Sequence, residues 1–267
     1  MKGKNIHAVL MACCIIAFWL FDEYYVNEDN GVPSVEVNTV PIGHAELLPG
    51  STTGSTTSHT FYTLSYHEAY EQAEWVAYWI QSDYLMDHKR KRPYFILDPK
   101  VTTRSADWKN YKGSGYDRGH LCAAGDMAFS EEAYRQTFFT SNISPQRSDF
   151  NAGVWNRLEQ RTRYWAKRYD GVFVITGGVL GEGLDRIGYE GVAVPNHFYK
   201  VLLRQEGNQF KVIAFLVPHV ETKSPLQHFV VSVDSLERLT GINFFERMPD
   251  SLQTMLEGKP NREEWNF

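Results

Sequence analysis

The densest reactive cluster in the chain lies between Gly113 and Glu159. It opens with Gly113-Ser114-Gly115-Tyr116-Asp117-Arg118-Gly119-His120, which sets an Asp, an Arg and a His within four positions. Ser141-Asn142-Ile143-Ser144-Pro145-Gln146 follows, then Asn151, Trp155 and Glu159. A neutral imidazole near pH 7 is the usual general base, so His120 is a candidate for activating a water. A lone histidine can equally be a satisfied structural residue. Arg118 could hold a phosphate by a bidentate fork or pair with a surface carboxylate. Asp117 reads as an orienting acceptor or a plain turn residue. Asn151, Trp155 and Glu159 stand at i, i+4 and i+8, which places them along one helical face. A carboxamide and a carboxylate on one stripe offer oxygen donors to a hard cation such as Mg²⁺, with water and substrate phosphate completing the shell. A solvated helix face has the same spacing. Cys122 lies among small and apolar neighbours, as a buried structural thiol would. His197 reads as a strand-end residue.

These side chains need a scaffold. Tyr66 to Gln81 carries Ala69, Ala73, Val76, Ala77 and Ile80 at helical spacing, and a helix is expected there. Phe95-Ile96-Leu97 reads as a short strand. Ser130 is the expected N-cap of a helix running to Phe138. Phe150 to Tyr169 reads as a longer helix, capped by Ser148 or Asp149 and stopped at Gly171. The β-branched, apolar runs Val172–Thr176, Val192–Leu203 and Phe210–Val217 read as strands. Ser232 to Leu239 is a last amphipathic helix. The order fits one α+β domain, a sheet under helices.

The 267 residues carry 27 Lys+Arg and 32 Asp+Glu, a net charge of −5. That average argues against a polyanionic partner. The charge is not evenly spread, however. From Lys89 to Arg168 there are 16 basic and 8 acidic residues, and the basic block contains the reactive cluster. Three cysteines cannot build a disulfide framework.

At the N-terminus Lys2 and Lys4 precede an apolar run from Ile6 to Phe21, and acidic residues follow. The pattern predicts a signal anchor over 1–26, with the rest of the chain on the periplasmic or extracellular side of a membrane. A lipoprotein signal at Cys13 and a cleaved secretory signal are the alternatives. Residues 27–58, rich in Pro, Gly, Ser and Thr, read as a flexible linker, which leaves 59–267 as the globular domain.

Asp117-Arg118-Gly119-His120 resembles the signature of the DNA/RNA non-specific endonucleases, the endonuclease G-like family of the ββα-metal superfamily. The likeness continues through Ser141 to Gln146, Asn151, Trp155 and Leu158-Glu159, in the family's order and nearly its spacing. It covers about residues 61–250, including Trp75-Val76-Ala77-Tyr78, Val192-Ala193-Val194-Pro195, His197-Phe198-Tyr199-Lys200 and Leu239-Thr240-Gly241. The resemblance implies a central, mainly antiparallel sheet flanked by helices. It implies a metal-dependent endonuclease that hydrolyses phosphodiester bonds in DNA and RNA without sequence or sugar preference, using Mg²⁺ or Mn²⁺. By the same resemblance His120 is the general base, Asn151 the direct metal ligand, and Glu159 orients water around the metal. Asn142 supports the site near His120 and the metal, and Arg118 positions the phosphate backbone. The family's further arginine, upstream of the histidine, falls best on Arg92, where the spacing departs from the family's. Two other readings stay open: a nucleic-acid-binding protein without catalysis, and a phosphodiesterase for small substrates.

Overall fold

The computed structural model describes residues 44–85, 89–207 and 209–267. The expected anchor, and the linker up to residue 43, lie outside the described residues. No helix among the described residues is long and apolar enough to cross a membrane.

In chain order the elements are β1 (Thr56–Ser58), β2 (Tyr62–His67), β3 (Gln72–Ile80), β4 (Asp117–His120), α1 (Glu131–Gln136), β5 (Ile143–Gln146), α2 (Asn156–Arg168), β6 (Val172–Gly178), β7 (Arg186–Ile187), β8 (Val192–Ala193), β9 (His197–Glu206), β10 (Gln209–Pro218), β11 (Val230–Val231), α3 (Val233–Thr240) and α4 (Asp250–Glu257). Seven strands form one sheet in the order β1-β2-β3-β6-β9-β10-β11. Every pairing in it is antiparallel. Helices cover both faces, so the expected α+β class and central antiparallel sheet are what the chain forms.

The two faces separate by simple alternation. Val76, Tyr78, Ile80, Val174, Leu202 and Phe215 pack against Trp155, just before α2, and against Leu158 and Trp165 of α2. Trp75, Ala77, Phe173, Ile175, Val201 and Val212 pack against α3 and α4 through Val233, Leu236, Leu252 and Leu256. This double burial explains why the helix expected over 66–81 is instead the end of β2 and all of β3. Almost every position of β3 is buried, so apolar residues occur at helical spacings as a by-product of a fully covered strand. Its aromatic and β-branched residues, Trp75, Val76, Tyr78, Trp79 and Ile80, favour the pleat.

The linker expectation fails from residue 44 onward. Leu47 is in the core. The Gly50 N–H donates to the Asn243 carbonyl at 2.8 Å, and the Trp75 indole donates to the Gly50 carbonyl at 2.8 Å. Glu74 is buried and accepts from Ser65 Oγ at 2.6 Å and from the Thr52 N–H at 3.0 Å. The Ser/Thr-rich run thus supplies hydroxyl and amide donors to a buried carboxylate, and its end is edge strand β1. Low complexity here reflects polar satisfaction rather than freedom.

The other expectations fare variously. Residues 95–97 make only an isolated bridge, Ile96 to Phe139. Ser130 caps α1 as expected, accepting from the Ala133 N–H. Ser232 caps α3, and Gly241 ends it in a left-handed conformation at φ 73°. The 192–203 run divides into β8 and β9 around Pro195, which lacks the N–H a ladder requires.

Candidate active site

β4 and β5 form a separate antiparallel pair, with Asp117 opposite Gln146 and His120 opposite Ile143. A short helical turn, Ser148–Phe150, follows β5, then a π segment, Asn151–Trp155, then α2. Two strands, the turns beside them and a helix thereby carry the reactive cluster.

His120 ends β4. Its ring lies 4.8 Å from that of Phe138, edge to face, and 5.6 Å from that of Phe95. Its Nε2 is buried and has no hydrogen-bond partner among the described residues. Burial, reinforced by the Arg92 charge, drives its pKa down to about 3, so the ring is neutral at pH 7. Arg92 and Arg118 share the same aromatic floor. The Arg92 guanidinium is 5.5 Å from the Phe95 centroid and that of Arg118 is 4.9 Å from it. Gly119 separates Arg118 from His120 because a Cβ there would overlap the Gln146 side chain across the pair. The two flanking side chains then leave the strand on one face.

Asn142 is fully buried. Its Oδ1 accepts from the Cys122 N–H at 2.8 Å, and its Nδ2 donates to the carbonyls of Cys122 at 3.0 Å and Thr137 at 2.9 Å. Its amide is consumed by backbone. Its support therefore goes to the chain leaving His120, and nothing is left over for a metal. Cys122 is buried as expected, and burial pushes its thiol pKa up.

Asp117 orients Asn151. Its Oδ2 accepts from Asn151 Nδ2 at 3.1 Å and its Oδ1 from Ser148 Oγ at 2.8 Å. Ser148 is therefore not a helix cap, and the N-cap position falls to Arg147. With Nδ2 tied, Asn151 presents an Oδ1 that no residue among those described hydrogen-bonds.

The single helical face expected for Asn151, Trp155 and Glu159 is interrupted. Gly153 departs from helical geometry (φ −97°, ψ −109°). A Cβ on Gly153 would overlap the Glu221 carboxylate, and that carboxylate accepts from the Val154 N–H at 2.8 Å. Glu221 thus satisfies an amide that the π segment frees. Trp155 turns into the core. Glu159 is fenced by charges: burial raises its pKa to about 7, with Lys200 and Arg163 pulling down and Asp126 pushing up. Asp126 is itself buried, accepting from Tyr78 Oη at 3.0 Å and from Arg163 at 2.7 Å.

The structure thus brings His120, Arg92 and Arg118 onto one floor. Among the described residues no hydrogen bond, ion pair or ring contact joins His120 to Asn151 or Glu159. What relates them is the scaffold: β4 carries His120 and Asp117, Asp117 holds Asn151, and the helix continues from Asn151 to Glu159. A cleft of about 880 Å³ opens beside this floor. Lys89, Arg90, Lys91, Arg92, Arg118 and Arg135 line it against the single carboxylate of Glu131. Tyr94 and Trp108 stand exposed in its wall.

Sequence reasoning missed Lys200, Asp126, Arg163, Glu221 and His219. Lys200 carried a signal, being a cation within the apolar run of β9; it is fully buried, its Nζ 4.9 Å from the Trp155 ring centroid. Glu221 carried none.

The ββα-metal resemblance implies a divalent metal. The donor set fits one: Asn151 Oδ1 and the Glu159 carboxylate are oxygen donors without protein hydrogen bonds among the described residues, as a hard cation requires.

Comparison with known proteins agrees. A family model for DNA/RNA non-specific endonucleases matches residues 44–251. The mitochondrial nuclease EXOG of Mus musculus is 37% identical over 182 residues, covering 62% of this chain and 50% of that protein. Nuclease C1 of Cunninghamella echinulata var. echinulata is 36% identical over 176 residues, covering 61% of this chain and 68% of that protein. A chain in the crystal structure of the EndoG/EndoGI complex superimposes with a TM-score of 0.72 at 29% identity, over 83% of this chain and 99% of that one. The chain spans about half the length of several of the curated relatives it matches. The two strands, the helix and the extent of these matches place it: the chain belongs to the DNA/RNA non-specific endonuclease family.

Proposed function

We propose that this chain is a Mg²⁺-dependent endonuclease that hydrolyses phosphodiester bonds in DNA and RNA without sequence or sugar preference. The observation that carries the reading is the His120 Nε2 atom, buried, neutral and unpartnered beside a cleft lined by cations.

The neutral His120 imidazole accepts the proton from the attacking water as that water attacks phosphorus. Burial is the larger cause of the low His120 pKa and the Arg92 charge the smaller; a phosphate arriving against Arg92 offsets the smaller one, so the ring's basicity rises in part when substrate is in place. Arg118 and Arg92, held over Phe95, orient the phosphate oxygens and stabilise the charge that develops on them. Asn151 Oδ1 and Glu159 would hold the Mg²⁺, which when bound supplies a charge sink for the transition state and for the leaving oxygen. Asp117 fixes which atom of the Asn151 amide faces the ion. The cleft's cations grip backbone phosphates, and backbone contacts carry no base information, so cleavage is indifferent to sequence.

Plasmid nicking and RNA degradation test this. The wild-type chain cleaves both with Mg²⁺ and stops with EDTA, and His120→Ala loses about 10²–10⁴-fold in rate. Wild-type rates in His120→Ala would refute the base assignment. Nucleic-acid binding without cleavage would leave the non-catalytic reading.

The N-terminal run extends the proposal to placement: Lys2 and Lys4 ahead of Ile6–Phe21 anchor the chain in a membrane, with the catalytic domain outside the cytoplasm. Recovery in the soluble fraction after lysis without detergent would remove this part alone.

A further inference from the structure

On the side of the sheet away from α2, three carboxylates meet. Asp234 and Glu237 lie three residues apart on α3, hence on one face of it, and Glu257 is the last residue of α4. One oxygen from each lies within 4.8 Å of the others. Two ligands of a single calcium ion, each about 2.4 Å from it, can be no farther apart than roughly twice that distance. The spacing lets one ion reach all three.

Glu257 supplies the independent sign. It is only 7% exposed, and its Oε1 is buried without a hydrogen-bond partner among the described residues. It ends a helix whose last turn carries no basic residue, where the macrodipole already opposes a negative charge. No ion pair with Lys, Arg or His reaches any of the three among the described residues. Glu237 Oε1 takes the Phe244 N–H at 2.9 Å, and the Arg238 guanidinium goes to Ser235 Oγ at 3.1 Å. Three like charges with one buried and orphaned require a counter-ion or a proton.

We propose that Asp234, Glu237 and Glu257 form a calcium site that clips the end of α4 to α3, on the opposite face of the sheet from the catalytic helix. The donors are all carboxylate oxygens, the ligands of a hard cation, and two flexible glutamates suit the adaptable shell of Ca²⁺ better than the strict octahedron of Mg²⁺. Burial and the two neighbouring carboxylates raise the Glu257 pKa to about 7, the electrostatic tension a cation relieves. The clip has a structural purpose. The chain beyond α4 crosses to the other face, where Trp265 packs edge to face on Trp165 of α2 with centroids 5.0 Å apart. Fixing Glu257 fixes the start of that tail. The proposal is independent of the nuclease reading.

Calorimetric titration of the full chain with CaCl₂ tests it, run on wild type, Glu257→Gln, Asp234→Asn and Asn151→Ala. Wild type and Asn151→Ala are expected to bind Ca²⁺ alike at this site. Glu257→Gln and Asp234→Asn are expected to bind at least tenfold more weakly, while plasmid cleavage in Mg²⁺ stays at the wild-type rate. At Ca²⁺ about 100 times its Kd, Tm of the wild type rises by roughly 5–10 °C, and this rise is lost in both carboxylate variants. Asp234→Asn keeps the test decisive should Glu257→Gln misfold, because Asp234 is half-buried and its side chain makes no hydrogen bond among the described residues. Absence of Ca²⁺ binding in wild type, equal binding in the carboxylate variants, or binding lost only in Asn151→Ala would each overturn the site.

Discussion

His120 and His219 sit in similar boxes and behave in opposite ways. His120 lies against Phe95 and Phe138. His219 lies against Phe150 and Phe198, with centroids 4.9 and 5.0 Å away. Burial lowers the pKa of both. Their hydrogen bonds differ. His219 Nε2 accepts from the Arg147 N–H at 2.7 Å, which fixes the tautomer, so Nδ1–H donates to the Pro195 carbonyl at 2.8 Å. Both nitrogens are used, and the ring ties the start of the segment leading into α2 to the turn before β9. His120 Nε2 is left with nothing. Aromatic surroundings and a lowered pKa therefore do not distinguish the two rings; the accounting of hydrogen bonds does.

Substituting each residue breaks the comparison most sharply. His120→Ala costs about 10²–10⁴-fold in cleavage rate with a smaller loss of Tm than His219→Ala, since it gives up packing on Phe95 and Phe138 but leaves no Nε2 partner unpaired. His219→Ala leaves the Arg147 N–H and the Pro195 carbonyl buried without partners. It costs about 3 kcal/mol, seen as a Tm lower by roughly 6–12 °C, with activity per folded molecule within about tenfold of wild type. Thermal melts and initial rates on the same preparations check both. A destabilised His120→Ala of normal activity would invert the assignment.

The next effect sharpens how position is enforced. Asp117→Ala releases the Asn151 amide, which can then turn its Nδ2 toward the place of its Oδ1. We expect the Mg²⁺ concentration for half-maximal rate to rise about 10–100-fold, with saturated kcat much less affected. A Mg²⁺ titration of the rate decides, and an unchanged midpoint would mean that Asp117 does not orient the ligand.

The sequence exposes this site unevenly, for physical reasons. Asp117 to His120, Asn142, Asn151 and Glu159 could be singled out because they resemble a family motif in its order and nearly its spacing, and the fold sets them on β4, beside β5 and along the segment that leads into α2. The strands β6, β9 and β10 were legible because their β-branched runs are bounded by turns. β3 was misread because full burial erases the alternation that marks a strand. Residues 44–58 were misread because Ser/Thr richness looks like solvation, when the hydroxyls were in fact answering buried Glu74. The π segment was invisible, since Gly153 there depends on Glu221, which is remote in the chain and bears no local mark. Lys200 is the intermediate case. Its charge within an apolar strand announced a buried cation, but its neighbours Glu159 and Asp126 could be learned only from the fold.

The smallest effect concerns protons and separates the two histidines from the carboxylates. Each ring has a folded pKa below that of an unfolded imidazole, near 6.5. The unfolded chain therefore binds more protons below that pH, and stability falls as pH falls. For His120 the window runs from about 6.5 down to about 3. His120→Gln removes one of the two contributions, so Tm between pH 6.5 and 4 should decline less steeply than in wild type. Glu159 works in the opposite sense on function. Its carboxyl, raised to about 7, must lose its proton to serve a cation, so the Mg²⁺ requirement should grow as pH drops through 7. In Glu159→Gln that pH dependence should vanish while the acid slope in Tm persists. If the two responses moved together across these variants, one group would be responsible for both, and the separation of base from metal ligand would fail.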